Sequence, residues 1–206
     1  DILSQSTVAL HIEVRPRLLV PDTNCFVDDL ISIQAIASAH PLYQLMIPIT
    51  VINELEGLCR GIKQSNSSGI VIGSVQSTLS SRSSSRNNPQ HAAFVVQAAK
   101  DALVFLKEKN AAVKYVTTQG NILVSAAFTS EEQISKEQKS NDDKILDTAL
   151  NLCKKNVEEK KGEIRYLVRE VVLLTNDRNL RVKALTNDIP VRELPDFLKW
   201  AGLGPT

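Results

Sequence analysis

The sequence predicts an α/β fold, a three-layer α/β/α sandwich around a parallel sheet. Two observations carry this. Short apolar runs such as Leu18-Leu19-Val20, Leu45-Met46-Ile47-Pro48-Ile49 and Val171-Val172-Leu173-Leu174 lack polar alternation, as strands buried on both faces do. Between them lie stretches with apolar residues at helical spacing, and a strand–helix–strand order closes through right-handed crossovers. With 206 residues, 43% of them hydrophobic and 23% charged, the chain can bury a sizeable core.

The first strand leads through Pro21 to Asp22, and Phe26, Leu30, Ile33 and Ala37 then continue as one helix. The second strand ends at Thr50, the expected N-cap of a helix carrying Val51, Ile52, Leu55 and Leu58. From about Gln64 to Gln90 serine dominates, which predicts a mobile surface insertion, with Ile70-Val71-Ile72 as one ordered island. A long helix from about Ala92 to Lys109 follows, with Phe94, Val95, Ala98, Ala99, Leu103 and Leu106 on its apolar side. Polar connections are expected at about Ser130–Ser140 and at Glu158–Gly162, flanking a helix with Ile145, Leu146, Ala149, Leu150 and Cys153 buried. The third strand runs into Thr175-Asn176-Asp177 and a helix with Leu180, Val182 and Leu185. Ile189-Pro190-Val191 is the expected last strand, and Pro195 opens a short helix whose Phe197 and Trp200 are assigned to the core. Nothing marks a repeat or a domain boundary, so residues 1–206 read as one domain, cut from a longer protein.

Composition excludes several classes. Lys and Arg number 24 against 23 Asp and Glu, so a bulk positive field cannot be what holds a nucleic acid. No apolar run approaches the ~20 residues needed to span a bilayer. Cys25, Cys59 and Cys153 are far apart and form no CxxC pair, which predicts reduced thiols in a cytosolic or nuclear protein.

In an open parallel sheet the ligand site lies beyond the carboxyl ends of the strands. The pattern delivers four acids to that edge: Asp22, Glu54, Asp143 and Asp177. Taken singly, an Asp at such a junction serves as a helix cap or a partner of the helix dipole, and Glu54 as a solvated helix residue. Gathered together they repel one another and call for a cation, and hard divalent ions prefer such oxygen donors. A metal so held activates water and offsets charge on a phosphoryl group, so the chemistry implied is phosphodiester hydrolysis. Asp147 and Asp142 are better read as helix-surface acids, and Asp28 and Asp29 as facing water.

Pro21-Asp22-Thr23-Asn24, Ile52-Asn53-Glu54-Leu55, Asp143-Lys144-Ile145-Leu146 and Leu174-Thr175-Asn176-Asp177 with Leu180 resemble, in order, the motifs of PIN domains, metal-dependent ribonucleases related to 5′ flap nucleases. The resemblance runs from about Arg15 to Gly202 apart from the Ser-rich insertion. The segments VPDTN, VINELEGL, NDDKIL and VVLLTNDRNLRVKAL are similar to those of PIN domains in animal endonucleases of nonsense-mediated mRNA decay, relatives of the telomerase-binding Est-one proteins. The resemblance implies a twisted parallel sheet and endonucleolytic cleavage of single-stranded RNA with Mn²⁺ or Mg²⁺. It implies that Asp22, Asp143 and Asp177 bind metal and catalyse, with Glu54 as an acidic helper. It also implies supporting roles for Thr175, beside a carboxylate or metal-bound water, and for Asn24, behind the site or on a phosphate. Asp143 is preferred over Asp142 because it fits the Asp-x-x-Leu spacing. A monomeric domain is expected, targeted by mRNA-decay factors that bind outside it, in the cytoplasm and also in the nucleus at telomeres.

Arg178, Arg181 and Lys144, with Lys183, are candidates to meet RNA phosphates. Aromatic residues are only 4%, so base-specific reading is not expected. His11, His40 and His91 are isolated and no GxSxG elbow exists, which argues against a catalytic triad. Pro21-Asp22-Thr23-Asn24 stands where a nucleotide-binding fold needs glycines, and a phosphatase with an Asp nucleophile would want an acid where Asn24 stands. The alternative from another class is a catalytically inactive PIN module serving as an RNA-binding or protein-docking surface.

Overall fold

The computed structural model describes residues 10–60, 89–123, 139–154, 158–161 and 164–204. The expected insertion at 64–90 lies outside them except for its last two residues, and so does most of the connection at 130–140.

The centre of the sheet is β1 (Leu10–Pro21) beside β6 (Ile164–Leu174), paired in parallel from Leu10↔Arg165 to Pro21↔Leu174. The register shifts between Val14 and Leu18. Pro16 lies in that gap and has no N–H to give to a ladder. On the other side of β1 lie β2 (Gln44–Pro48) and then β3 (Val113–Val116), both parallel. The apolar runs named above supply wholly buried residues here, among them Leu19, Val20, Leu45, Ile47, Leu173 and Leu174. A sheet with helices over both faces gives such residues no water to meet.

The sheet is not parallel throughout. Its order is β4-β3-β2-β1-β6-β5, with β7 (Val191–Arg192) also pairing β6. The outer strands β4 (Ile122–Leu123) and β5 (Glu158–Lys161) are antiparallel to their neighbours. Short connections force this, since a parallel return needs a crossover of a dozen residues or more. Between β3 and β4 the turn closes with Gly120 N–H on Thr117 O at 2.9 Å. Gly120 has φ +78°, and a Cβ there would stand 3.2 Å from the Asn151 backbone. β5 replaces the expected charged connection. β7 is parallel to β6, with Leu173↔Val191 and Leu174↔Arg192 in register.

The helices are α1 (Thr23–Asp28), α2 (Leu30–Ser38), α3 (Ile49–Arg60), α4 (Pro89–Lys107), α5 (Asn141–Cys153), α6 (Arg178–Thr186) and α7 (Leu194–Ala201). α3 packs on α4, α2 on α7, and α5 on β6 and α6. Among the described residues none is long and apolar enough to cross a membrane.

Four expectations need correction. The helix after Asp22 is two helices, broken at Asp29, whose carboxylate caps α2 by accepting from Ser32 N at 3.1 Å rather than facing water. Thr50 is no N-cap: α3 already begins at Ile49, and Thr50 is buried inside its first turn. Phe94, Val182 and Leu185 face solvent: near the start of α4 it is Val96 and Ala99 that are buried, and α6 turns only Leu180 and Ala184, one turn apart, to the core. Trp200 is 62% exposed, while Phe197 beneath it is buried against Tyr43 with ring centroids 5.2 Å apart.

A candidate active site at the carboxyl edge of the sheet

From β1 the chain continues to β2 and β3 on one side, whereas β6 adds on the other. The crevice between β1 and β6 is therefore the point where strand order reverses, the place where α/β sheets bind ligands. Asp22 follows β1 and Asp177 closely follows β6. The strand ends are tied by Asp22 N–H on Leu174 O at 3.0 Å.

Asp22 is 3% exposed and caps α1, its Oδ1 accepting from Cys25 N at 2.9 Å. Its Oδ2 accepts from the Thr175 hydroxyl. Thr175 is wholly buried, and its Oγ1 in turn accepts from Asp177 N at 3.0 Å. The hydroxyl thus accepts from the Asp177 amide through a lone pair and gives its proton to Asp22. Asp177 caps α6, with Oδ1 accepting from Asn179 N at 2.6 Å and Leu180 N at 3.0 Å. Burial holds the Asp22 acid above its ordinary value, against the hydrogen bonds from Thr175 and Cys25, and the Asp177 charge pushes the same way as burial.

Glu54 enters from α3. Its two oxygens accept from the Thr23 hydroxyl on α1 and from Asn141 Nδ2 on α5, the latter at 2.7 Å. Asp143 stands in the first turn of α5, whose N-cap is Ser140. Of the strand-end acids read singly as helix caps or dipole partners, Asp22 and Asp177 are caps, while Asp143 is a first-turn acid facing the positive end of α5. Asp143 Oδ2 accepts from the Ser140 hydroxyl at 2.8 Å and Oδ1 from Lys183 Nζ at 2.6 Å. The Lys183 hydrogen bond, then that of Ser140, holds the Asp143 acid below its ordinary value, and Lys183 is raised in return.

The four acids thus line one edge in two groups, Asp22–Thr175–Asp177 and Glu54–Asn141 with Asp143–Lys183. Each carboxylate is turned toward donors, and among the described residues no three His, Cys, Asp or Glu side chains close on a point that could hold a metal ion. The donor set is nonetheless all oxygen, as hard divalent cations require, and one member is a buried carboxylate beside a second one. Asn24 lies half-buried in the first turn of α1. Arg178 is exposed at the start of α6, Lys144 is half-buried on α5, and Arg181 is ion-paired with Glu193. Asp147 pairs with Lys139 at 3.1 Å on the surface of α5.

A family model described as PIN domain matches residues 19–194. The chain belongs to the PIN domain family. It is also 40% identical, over 204 residues, to "Telomerase-binding protein EST1A" of Danio rerio, a match that covers 95% of this chain and 12% of that relative. PIN domains are generally nucleases, and this one is a nuclease-like domain with an α/β/α fold.

Sequence reasoning did not single out Thr23, Asn141 or Ser140. Thr23 and Asn141 reach Glu54 across 31 and 87 residues of chain, and no local spacing announces such a contact. Ser140 was legible in principle, as a serine three residues before an acid at a helix start.

Proposed function

We propose that residues 1–206 form one divalent-metal-dependent endoribonuclease domain that cuts single-stranded RNA in nonsense-mediated mRNA decay. The observation that carries the reading is the Asp22–Thr175–Asp177 cluster at the strand-order reversal, where a buried carboxylate lies beside a second one. Asp22, Asp143 and Asp177 would hold Mn²⁺ or Mg²⁺, with Glu54 helping. Such an ion lowers the pKa of a water and offsets charge on the leaving oxygen. The chain's own residues do the positioning. Thr175 fixes one oxygen of Asp22, Cys25 N–H fixes the other, and the α6 N-terminus fixes Asp177. Asn24, Arg178, Arg181 and Lys144 are assigned to the RNA backbone, Arg181 after release from Glu193.

The domain acts as a monomer whose mRNA-decay partners bind elsewhere in a longer protein, in the cytoplasm and, given a telomerase-binding relative, also in the nucleus. A second reading, a non-catalytic RNA-binding or docking module, is favoured by one observation: Lys183 already neutralises Asp143 without a metal.

Circular and linear single-stranded RNA incubated with Mn²⁺, Mg²⁺ or EDTA separate the two. Cutting of the circle that EDTA stops is the expected result. Intact circles with a folded protein that binds no divalent ion would favour the docking module. Thr175→Val should slow cutting by roughly 10–100-fold, the usual cost of losing a residue that orients a metal ligand. The valine variant's circular dichroism should match wild type, and an unchanged rate would remove Thr175 from the site.

A further inference from the structure

We infer that Lys183 is a built-in counter-cation that a divalent ion must displace from Asp143. The inference rests on the metal-dependent reading of the site. Lys183 lies on α6, one turn and a half beyond Asp177, and its Nζ reaches across to Asp143 Oδ1 at 2.6 Å. The ammonium thus stands between acids from two elements, and the charges of Asp143, Asp142 and Asp177 all act on it. Asp143's other oxygen is held by the neutral Ser140 hydroxyl at 2.8 Å, so Lys183 is the charged partner in its hydrogen-bonding shell. An ammonium and a hard divalent ion compete for the same lone pairs, because both are satisfied by carboxylate oxygen.

The pair is also suited to being opened. Its side chains are 44% and 40% exposed, and ion pairs that water reaches contribute little net stability. A four-carbon stem lets the ammonium swing away without moving α6. The lysine therefore keeps the acidic edge from repelling itself when no metal is present, at the cost of weaker metal binding. This makes Lys183 a positioning residue: it sets where Asp143 points and how tightly the site takes a cation.

The test is Mn²⁺ titration by calorimetry and by electron paramagnetic resonance on wild type, Lys183→Met, Asp143→Asn and Lys199→Met. Lys199 is an exposed lysine of α7 and controls for net charge alone. Lys183→Met should bind Mn²⁺ more tightly by up to about fivefold, the factor for removing a half-exposed ion pair. It should also melt at a lower temperature without metal and recover when Mn²⁺ saturates. Lys199→Met should bind as wild type does, and Asp143→Asn should bind far more weakly. Equal or weaker binding by Lys183→Met would overturn the inference while leaving the metal site standing, as would a gain matched by Lys199→Met. Wild type that takes up no Mn²⁺ at all would instead overturn the metal-dependent reading beneath it.

Discussion

Asp22→Asn should leave the fold intact and lower RNA cleavage by more than about a hundredfold, beyond what loss of an orienting residue costs. The amide is the same size as the carboxylate it replaces. Its oxygen can still cap α1 by accepting from Cys25 N, and its NH₂ can donate to Thr175 Oγ1 once that hydroxyl turns. What the variant lacks is the buried negative charge. The same loss should make the metal-free protein more stable at neutral pH. Burial raises the Asp22 acid in the folded state, so the folded protein holds its proton more tightly than the unfolded chain does. Stability is then lost as pH rises from the unfolded value through the folded one, and Asp22→Asn removes that loss. Asp143 has the opposite sign. Its depressed acid contributes stability above its unfolded value, and this is lost as pH falls. Thermal melts of both proteins in EDTA from pH 4 to 8, beside cleavage rates in Mn²⁺, measure the two effects together. A variant cutting at the wild-type rate would remove Asp22 from the site.

Phe197→Ala should cost about 3–5 kcal/mol, the range for truncating a buried phenylalanine to alanine. Phe197 is wholly buried, meets Tyr43 edge to face at 5.2 Å, and fastens α7 to the body of the domain. For a domain of this size the loss lowers Tm by roughly 8–15 °C. Trp200→Ala, one turn on, is the contrast. Its ring leans on Phe197 at 5.8 Å but is mostly in water, so its removal should cost under about 1 kcal/mol. Equal shifts for the two variants in a calorimeter would mean that α7 is held by Trp200 as much as by Phe197.

The contrast between these two aromatics also shows what the sequence made legible. The strands β1, β2 and β6 were readable because residues buried on both faces must all be apolar, which leaves an unbroken run in the chain. Asp22 and Asp177 were readable because the carboxyl ends of such runs converge. Burial on α7 was not, because Phe197 and Trp200 lie three residues apart on one helix face, and a ring distant in sequence, Tyr43, meets Phe197. The break at Asp29 was hidden in the same way. Phe26, Leu30, Ile33 and Ala37 keep helical spacing through it, and the backbone departs there only at φ −153°, ψ 68°. β3 and β4 are four and two residues long, too short to stand out beside a helix. In the site, the sequence pointed to Thr175 as a hydroxyl on a carboxylate, as it is on Asp22, whereas the contacts made by Thr23, Asn141 and Lys183 were not legible. Lys183, a candidate for phosphate contact, stands on Asp143, a contact made across 40 residues.

The pairing of β1 with β6 has a bearing on how the protein is made. Thr175 and Asp22 are 153 positions apart in the chain, yet they share a hydrogen bond at the centre of the sheet. At a ribosome adding about 5–20 residues per second, roughly 8–30 s separate the emergence of the two. Through that interval β1, with its wholly apolar Leu19 and Val20, lacks one of its two neighbours and offers an open edge to any other strand. The half-made domain is thus at its most vulnerable to misassociation where the finished one is best protected. The two aspartates are brought together only once β6 and the residues after it have been made.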